Sequence, residues 1–227
     1  MLLKQKKLNL NEINDENKLL LLYEINNYIL LSEKPSIYLN SIVNTKIFKE
    51  YPFQMLYKLK DTEQSPKYHP EGNVWNHTML VLDCAAKNKD KSKDERVFMW
   101  AALLHDIGKA ETTRNKKGKI TAYNHEKVGA DLSIKFLKEF TTDDEFIKKV
   151  ASLVRWHMQI LHVVKDMPFA DINAMKEDTD IAEVALLGFC DRMGRTKVNI
   201  EKEKNNIKIF MEKCGVDVPA LMDVLKL

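Results

Sequence analysis

The amino-acid sequence predicts an all-α protein, and three observations predict it. Seven Gly and six Pro among 227 residues are too few breakers for a turn-dense β fold. Strong helix formers, Leu, Lys, Glu and Ala, abound. Apolar residues recur at three- and four-residue spacing along most of the chain, and nowhere does apolar–polar alternation run long enough to mark a half-buried strand.

Taken in order, the first helix is expected over 15–31. Its core, Leu19 to Leu31, is the most apolar stretch, yet Glu24, Asn26 and Asn27 interrupt it, and it falls short of the about 20 residues a bilayer span needs. Helical periodicity then marks 35–43, 51–60, 74–89, 94–107, 124–139, 143–157, 169–176 and 180–192, with the last open to extension as far as 213, and finally 217–226. Between Glu111 and Thr121, Asn115-Lys116-Lys117-Gly118 supplies turn residues for a short hairpin or a plain loop. A Pro-punctuated stretch, Ser65 to Gly72, divides an N-terminal helical extension (1–65) from a larger helical region (66–227). With no Gly/Ser linker or low-complexity tract between them, these read as two regions of one compact unit.

Composition bounds the function. Thirty-six basic against 33 acidic side chains leave a net charge of only +3, so a whole-molecule attraction to nucleic acid or anionic membrane is not indicated. Three widely spaced cysteines, Cys84, Cys190 and Cys214, read as reduced thiols and not as a thiolate metal cage. Met1 to Lys7 is basic, but no small-residue cleavage pattern follows, so a soluble, cytoplasmic chain with no membrane partner is expected.

The six histidines are the informative residues. His77 lies in line with Leu80, Val81, Cys84 and Ala85; His105 closes a face made by Val97, Phe98, Ala101 and Ala102; His125 heads one carrying Val128, Gly129, Leu132 and Phe136. His157 follows Val150, Leu153 and Val154, and Asp191 follows Val184, Leu187 and Gly188. A polar side chain on an apolar face must point inward and be satisfied there. One such histidine is ordinary core structure, but five such segments are most economically satisfied together by a bound cation, which neutralises carboxylate and accepts imidazole lone pairs. Asp106, adjacent to His105, is the strongest element, because Gly108 marks a helix end at which both side chains can reach one point. Imidazole and carboxylate donors without thiolate suit Mn, Fe, Co, Ni, Zn or Mg.

These residues resemble the ligand set of the HD superfamily of metal-dependent phosphohydrolases. The strings from Tyr68 to Thr78 and from Ala101 to Ala110, which holds His105-Asp106-Ile107-Gly108-Lys109, are closer still to the HD domain that follows the catalytic head of bacterial CCA-adding tRNA nucleotidyltransferases. Tyr123 to Ala130 and Val154 to Met158 continue the likeness, which covers about 66–195. No Gly-rich strand-turn with paired aspartates accompanies it, so nucleotide addition to tRNA is not expected. The resemblance implies an HD helical bundle in which His77, His105, Asp106 and Asp191 hold one divalent ion, with room for a second, bridged by Asp106, if His125 and His157 also ligate.

It further implies hydrolysis of a phosphomonoester or phosphodiester of a nucleotide or RNA end by a metal-activated water, without a covalent intermediate. Asp106 and Lys109 are the expected catalytic residues, and Lys109 is expected on a phosphate oxygen. Arg192 and Arg195 are further phosphate contacts, although exposed arginines would read the same way. Glu126 is a general acid or an imidazole-orienting partner, or simply solvated; His69 lines the pocket mouth and His162 lies outside the ligand shell. Loops 61–73 and 110–123 would shape selectivity. Two alternatives stand beside this reading: a hydrolase of a signalling nucleotide, and a non-catalytic RNA-binding or scaffolding module with a structural metal.

Overall fold

A computed structural model describes residues 8–216, so the helix expected at 217–226 lies outside the described residues. The architecture is helical, with one small hairpin. Helix α1 (Asp15–Leu31) begins where the Asn14 side chain accepts the Asn17 N–H, and it buries Leu21, Ile25 and Ile29. Proline at the first position starts α2 (Pro35–Ile42). The helix expected over 51–60 is instead one α turn, α3 (Gln54–Tyr57), tightening into a 3₁₀ turn at Lys58–Lys60.

Next come α4 (Val74–Ala86) and α5 (Glu95–Leu104), capped by the side chains of Asn73 and Asp94. A single turn, α6 (Lys109–Thr112), leads into β1 (Thr113–Lys116) and β2 (Lys119–Ala122). The antiparallel register pairs Lys116 with Lys119, so the hairpin turn is the two residues Lys117 and Gly118, both at positive φ (53° and 79°), as a type I′ turn requires.

The remaining helices are α7 (His125–Lys138), α8 (Asp144–Trp156), α9 (Gln159–Val164), α10 (Ile172–Asp178), α11 (Ile181–Met193) and α12 (Ile200–Lys213). The extension of α11 toward 213 is not continuous. The chain breaks after Gly194, where a Cβ would lie 2.4 Å from Val81 Cγ2 and 2.9 Å from the Val81 nitrogen; the bare backbone lets the end of α11 press onto α4. Asp180, one of the acidic residues near this helix start, caps α11 through the Ala182 N–H.

Helices α4, α5, α8 and α11 pack together, α7 lies along α8, α1 and α2 cover α4 and α5, and α12 closes over α9 and α11. A single buried apolar cluster runs from Leu21 to Cys214 through all of them. Trp75, Trp100 and Trp156 are core residues, each donating its indole N–H to a side-chain oxygen, on Asn40, Asn26 and Asp178 respectively. One expected inward residue differs: Leu80 of α4 is 40% exposed. Among the described residues no helix is long and apolar enough to cross a membrane.

Candidate metal centre

The ends of three helices supply the centre. His105 directly follows α5, His157 directly follows α8 and His125 opens α7. Each donates its Nδ1–H to the carbonyl three residues earlier: Ala102 (2.9 Å), Val154 (2.7 Å) and Ala122 (2.7 Å). That bond fixes the tautomer, so all three Nε2 atoms carry lone pairs and face inward.

They face Asp106. Its Oδ2 lies 3.3 Å from His105 Nε2 and 3.9 Å from His77 Nε2, while Oδ1 lies 3.4 Å from His125 Nε2 and 3.8 Å from His157 Nε2. Each carboxylate oxygen therefore addresses its own pair of imidazoles. His77 Nε2 also lies 3.0 Å from Asp191 Oδ1.

By hydrogen bonding alone this arrangement is badly satisfied. His125 Nε2 and His157 Nε2, both acceptors, stand 3.3 Å apart, and His105 Nε2 is buried with no hydrogen-bond partner. Lys109 Nζ, 2.7 Å from Asp106 Oδ2, offers charge there but not an aligned hydrogen bond. Converging nitrogen and oxygen lone pairs with no proton between them are what a divalent cation satisfies. The donor sets His77, His105, Asp106 and Asp106, His125, His157 each have ligand atoms within 4.8 Å of one another.

The electrostatics agree. Burial works against the ionised Asp106, but the Lys109 ammonium beside it is the largest opposing influence, and the carboxyl is held well below the usual range. Asp191 is likewise buried, and its bond to His77 with the charges of Arg195 and Arg192 holds it well below that range. Burial, reinforced by His125 and His105, pushes His157 down to about 3, so its imidazole stays neutral and able to ligate. Burial alone would lower His77, but its bonds to Asp191 and Glu71 prevail and raise it.

Glu71 was not singled out by the sequence, and it is central. Its Oε1 accepts from His69 Nδ1 and from His77 Nδ1, each at 2.9 Å, with its side chain 1% exposed. It lies in the loop before α4, where no helical period reports burial; its closeness in sequence to His69 and His77 was the only available signal. Gln64, in the same loop region, accepts from Lys109 Nζ at 2.8 Å.

Gly108 packs the His105-Asp106 turn against α7. Its φ is −68°, so it is not the left-handed cap suggested by its position after a helix. A Cβ there would meet the His125 carbonyl at 2.1 Å and the Gly129 nitrogen at 2.6 Å. Only a bare backbone lets Asp106 come this close to His125.

Above the centre opens a cleft of about 650 Å³ lined by Asp106, His125, His157 and Asp191 with Lys109, Arg195 and His69. The walls include Gln64 and Tyr68 from one loop and Thr121 and Ala122 from the other, both within the segments expected to shape selectivity. Arg192 lines a neighbouring groove and not this cleft. Glu126 is buried, not solvated; its Oε2 is 3.7 Å from His125 Nδ1, and it borders another groove on the far side of that ring. His162, which lies outside the donor sets, borders the same groove.

Residues 74–191 match the family model described as HD domain. Among curated proteins, the chain is 26% identical over 175 residues to the Multifunctional CCA protein of Mannheimia succiniciproducens, covering 74% of this chain and 41% of that one. It is 27% identical over 175 residues to that of Methylobacillus flagellatus (75% and 38%) and 38% identical over 96 residues to that of Halorhodospira halophila (42% and 21%). The chain thus spans less than half the length of these relatives.

Proposed function

The chain belongs to the HD domain family, in a superfamily of metal-dependent phosphohydrolases, and from that membership we propose that it hydrolyses a phosphomonoester or phosphodiester of a nucleotide or RNA end. The observation that carries this reading is the set of three imidazoles anchored through Nδ1, whose Nε2 lone pairs converge on buried Asp106 beneath an open cleft. A purely structural ion is ordinarily enclosed by protein donors, whereas catalytic sites keep open positions. The resemblance of the strings around His77 and His105 to the HD domain of CCA-adding tRNA nucleotidyltransferases supports an RNA-end phosphate among the substrates.

We read His77, His105, Asp106 and Asp191 as the ligands of one ion. Because the second oxygen of Asp106 faces His125 and His157, we read those three as the ligands of another. A divalent cation held there lowers the pKa of a bound water and neutralises charge on a phosphoryl oxygen. The side chains do the rest. Lys109 and Arg195, both lining the cleft, bind the non-bridging oxygens of the phosphate and orient phosphorus over Asp106. Water oxygen bonds to phosphorus, the ester P–O bond breaks, and the departing oxygen takes up a proton. Glu71 holds the His77 ring in its ligating orientation.

The test is a metal-by-substrate screen using nucleoside monophosphates, triphosphates, 2′,3′-cyclic nucleotides and RNA ends bearing 3′- or cyclic phosphate, with elemental analysis of the protein. Hydrolysis that depends on a transition metal and falls to background in His105→Ala and Asp106→Ala is expected. His157→Ala should lower the bound metal from two ions per chain to one. Bound metal with no hydrolysis of any substrate would favour a scaffolding role instead.

A further inference from the structure

The metal cleft does not end at its own walls. Two larger grooves, of about 1150 and 1190 Å³ against 650 Å³ for the cleft, adjoin it, and Met158 borders all three. The first shares Ala122 and His125 with the cleft; the second shares Tyr68, His69 and Arg195. The shared lining sets the three spaces side by side around Met158, next to the metal centre, where they can act as one trough.

Their chemistries differ. The groove beyond His125 is flanked by two aromatic rings held out in solvent, Tyr123 (73% exposed) and Phe169 (63% exposed). Tyr123 immediately precedes Asn124, whose left-handed backbone (φ 60°) turns the chain from β2 into α7. Exposed flat rings beside a polar floor of Glu126 and His162, whose Nδ1 is buried with no partner, suit a heterocyclic base that stacks and hydrogen-bonds at its edge. The groove beyond Arg195 carries four cations, Lys165, Arg192, Arg195 and Lys202, against the single carboxylate of Glu203. Arg195 Nε is buried without a partner, and no hydrogen bond or ion pair engages the Arg192 side chain among the described residues. Arg195 reaches Asp191 (Nη2 to Oδ1, 3.8 Å) yet keeps its Nε unpartnered, so both guanidinium groups retain N–H donors for an anionic ligand.

Building on the phosphohydrolase reading, we propose that the trough takes the end of a single polynucleotide strand. The terminal phosphate lies at the metal centre, the terminal base between Tyr123 and Phe169, and the neighbouring phosphodiester against Arg192, Lys165 and Lys202. A mononucleotide would fill the cleft and the aromatic groove and leave the cationic groove empty. The near-neutral net charge means that any backbone attraction must come from a local group of cations such as this one and not from the surface as a whole.

The experiment compares a fluorescent hexaribonucleotide ending in a 3′-phosphate with the matching nucleoside 3′-phosphate, using the full metal-loaded chain and measuring both binding and phosphate release. The hexamer is expected to show at least about tenfold higher kcat/KM and tighter binding. Lys165→Ala/Lys202→Ala, changed at two exposed positions, should cut that preference at least about fivefold and flatten the dependence of log affinity on log salt by about 0.7 for each phosphate no longer neutralised. Tyr123→Ala should weaken binding of both ligands. Equal kcat/KM for hexamer and mononucleotide, or a preference the lysine pair does not alter, overturns the strand proposal while leaving the phosphohydrolase reading intact. Tight, lysine-dependent hexamer binding with no phosphate release upholds the trough and sinks the phosphohydrolase reading.

Discussion

The carboxylate of Glu71 sets the orientation of two imidazoles at once, and that makes it the residue whose loss separates ligand identity from ligand positioning. By accepting the Nδ1–H of His77 it turns Nε2 toward Asp106 and Asp191, where the proposed ion would sit, and by accepting from His69 it holds the ring that packs against His77 at 4.8 Å. Burial opposes its ionisation, but the bonds to His77 and His69 prevail and keep it a carboxylate. Glu71→Gln preserves the shape and removes the charge. Its amide oxygen, placed where Oε1 now accepts both bonds, can still accept them but cannot balance the imidazoles electrostatically. Metal affinity should fall about 10- to 100-fold, read by chelator competition, with helix content unchanged by circular dichroism. Affinity equal to the wild type would show that His77 is oriented without it.

At the scale of elements, the centre depends on how closely the turn after α5 approaches α7, and Gly108 sets that distance. In Gly108→Ala the backbone conformation is acceptable, so any damage must come from the 2.1 Å and 2.6 Å contacts with His125 and Gly129. We expect a loss of about 1–3 kcal/mol in stability, as for an overpacked core, together with weakened metal binding. Gly118→Ala is the control. It has open space around it but a φ of 79°, so it should cost turn stability and leave metal binding untouched. Equal metal affinity in the two variants would refute the role assigned to Gly108. Close approaches of this kind explain which parts of the fold were legible. Helices with an apolar stripe and a capping Asn or Asp, such as α4, α5 and α8, were readable, and so were the histidines on those stripes, because period reports burial. Period is silent about Glu71 and Gln64 in their loop, about the short helix α9, and about the break at Gly194, which is set by Val81 on a distant helix.

For the whole molecule, converging this many imidazoles has a consequence in acid. In the folded chain burial is the largest cause lowering His157 to about 3 and His69 to about 4, and it also lowers His125 and His162. In the unfolded chain all four would take a proton near the ordinary histidine value of about 6.5. As pH falls through that value the unfolded state binds protons that the folded state refuses, so the metal-free protein loses stability between about pH 6.5 and 4. His77 acts oppositely: its raised value means the folded state holds a proton more firmly, a stabilisation fully present below about 6.5 and lost as pH rises through its folded pKa. The four lowered groups act toward acid instability and His77 against it. His157 alone contributes about 2 kcal/mol of destabilisation at pH 5, which for a chain of this size lowers Tm by about 4–8 °C. A divalent cation binds the folded state and requires neutral imidazoles, so adding it should raise Tm at pH 7.5 and progressively less toward pH 5. Thermal melts of chelator-treated and metal-loaded protein across that range check both halves. A flat metal-free Tm from pH 7 to 5 would mean that the imidazoles are not held neutral, and a metal-induced rise that does not shrink in acid would mean that they are not the ligands.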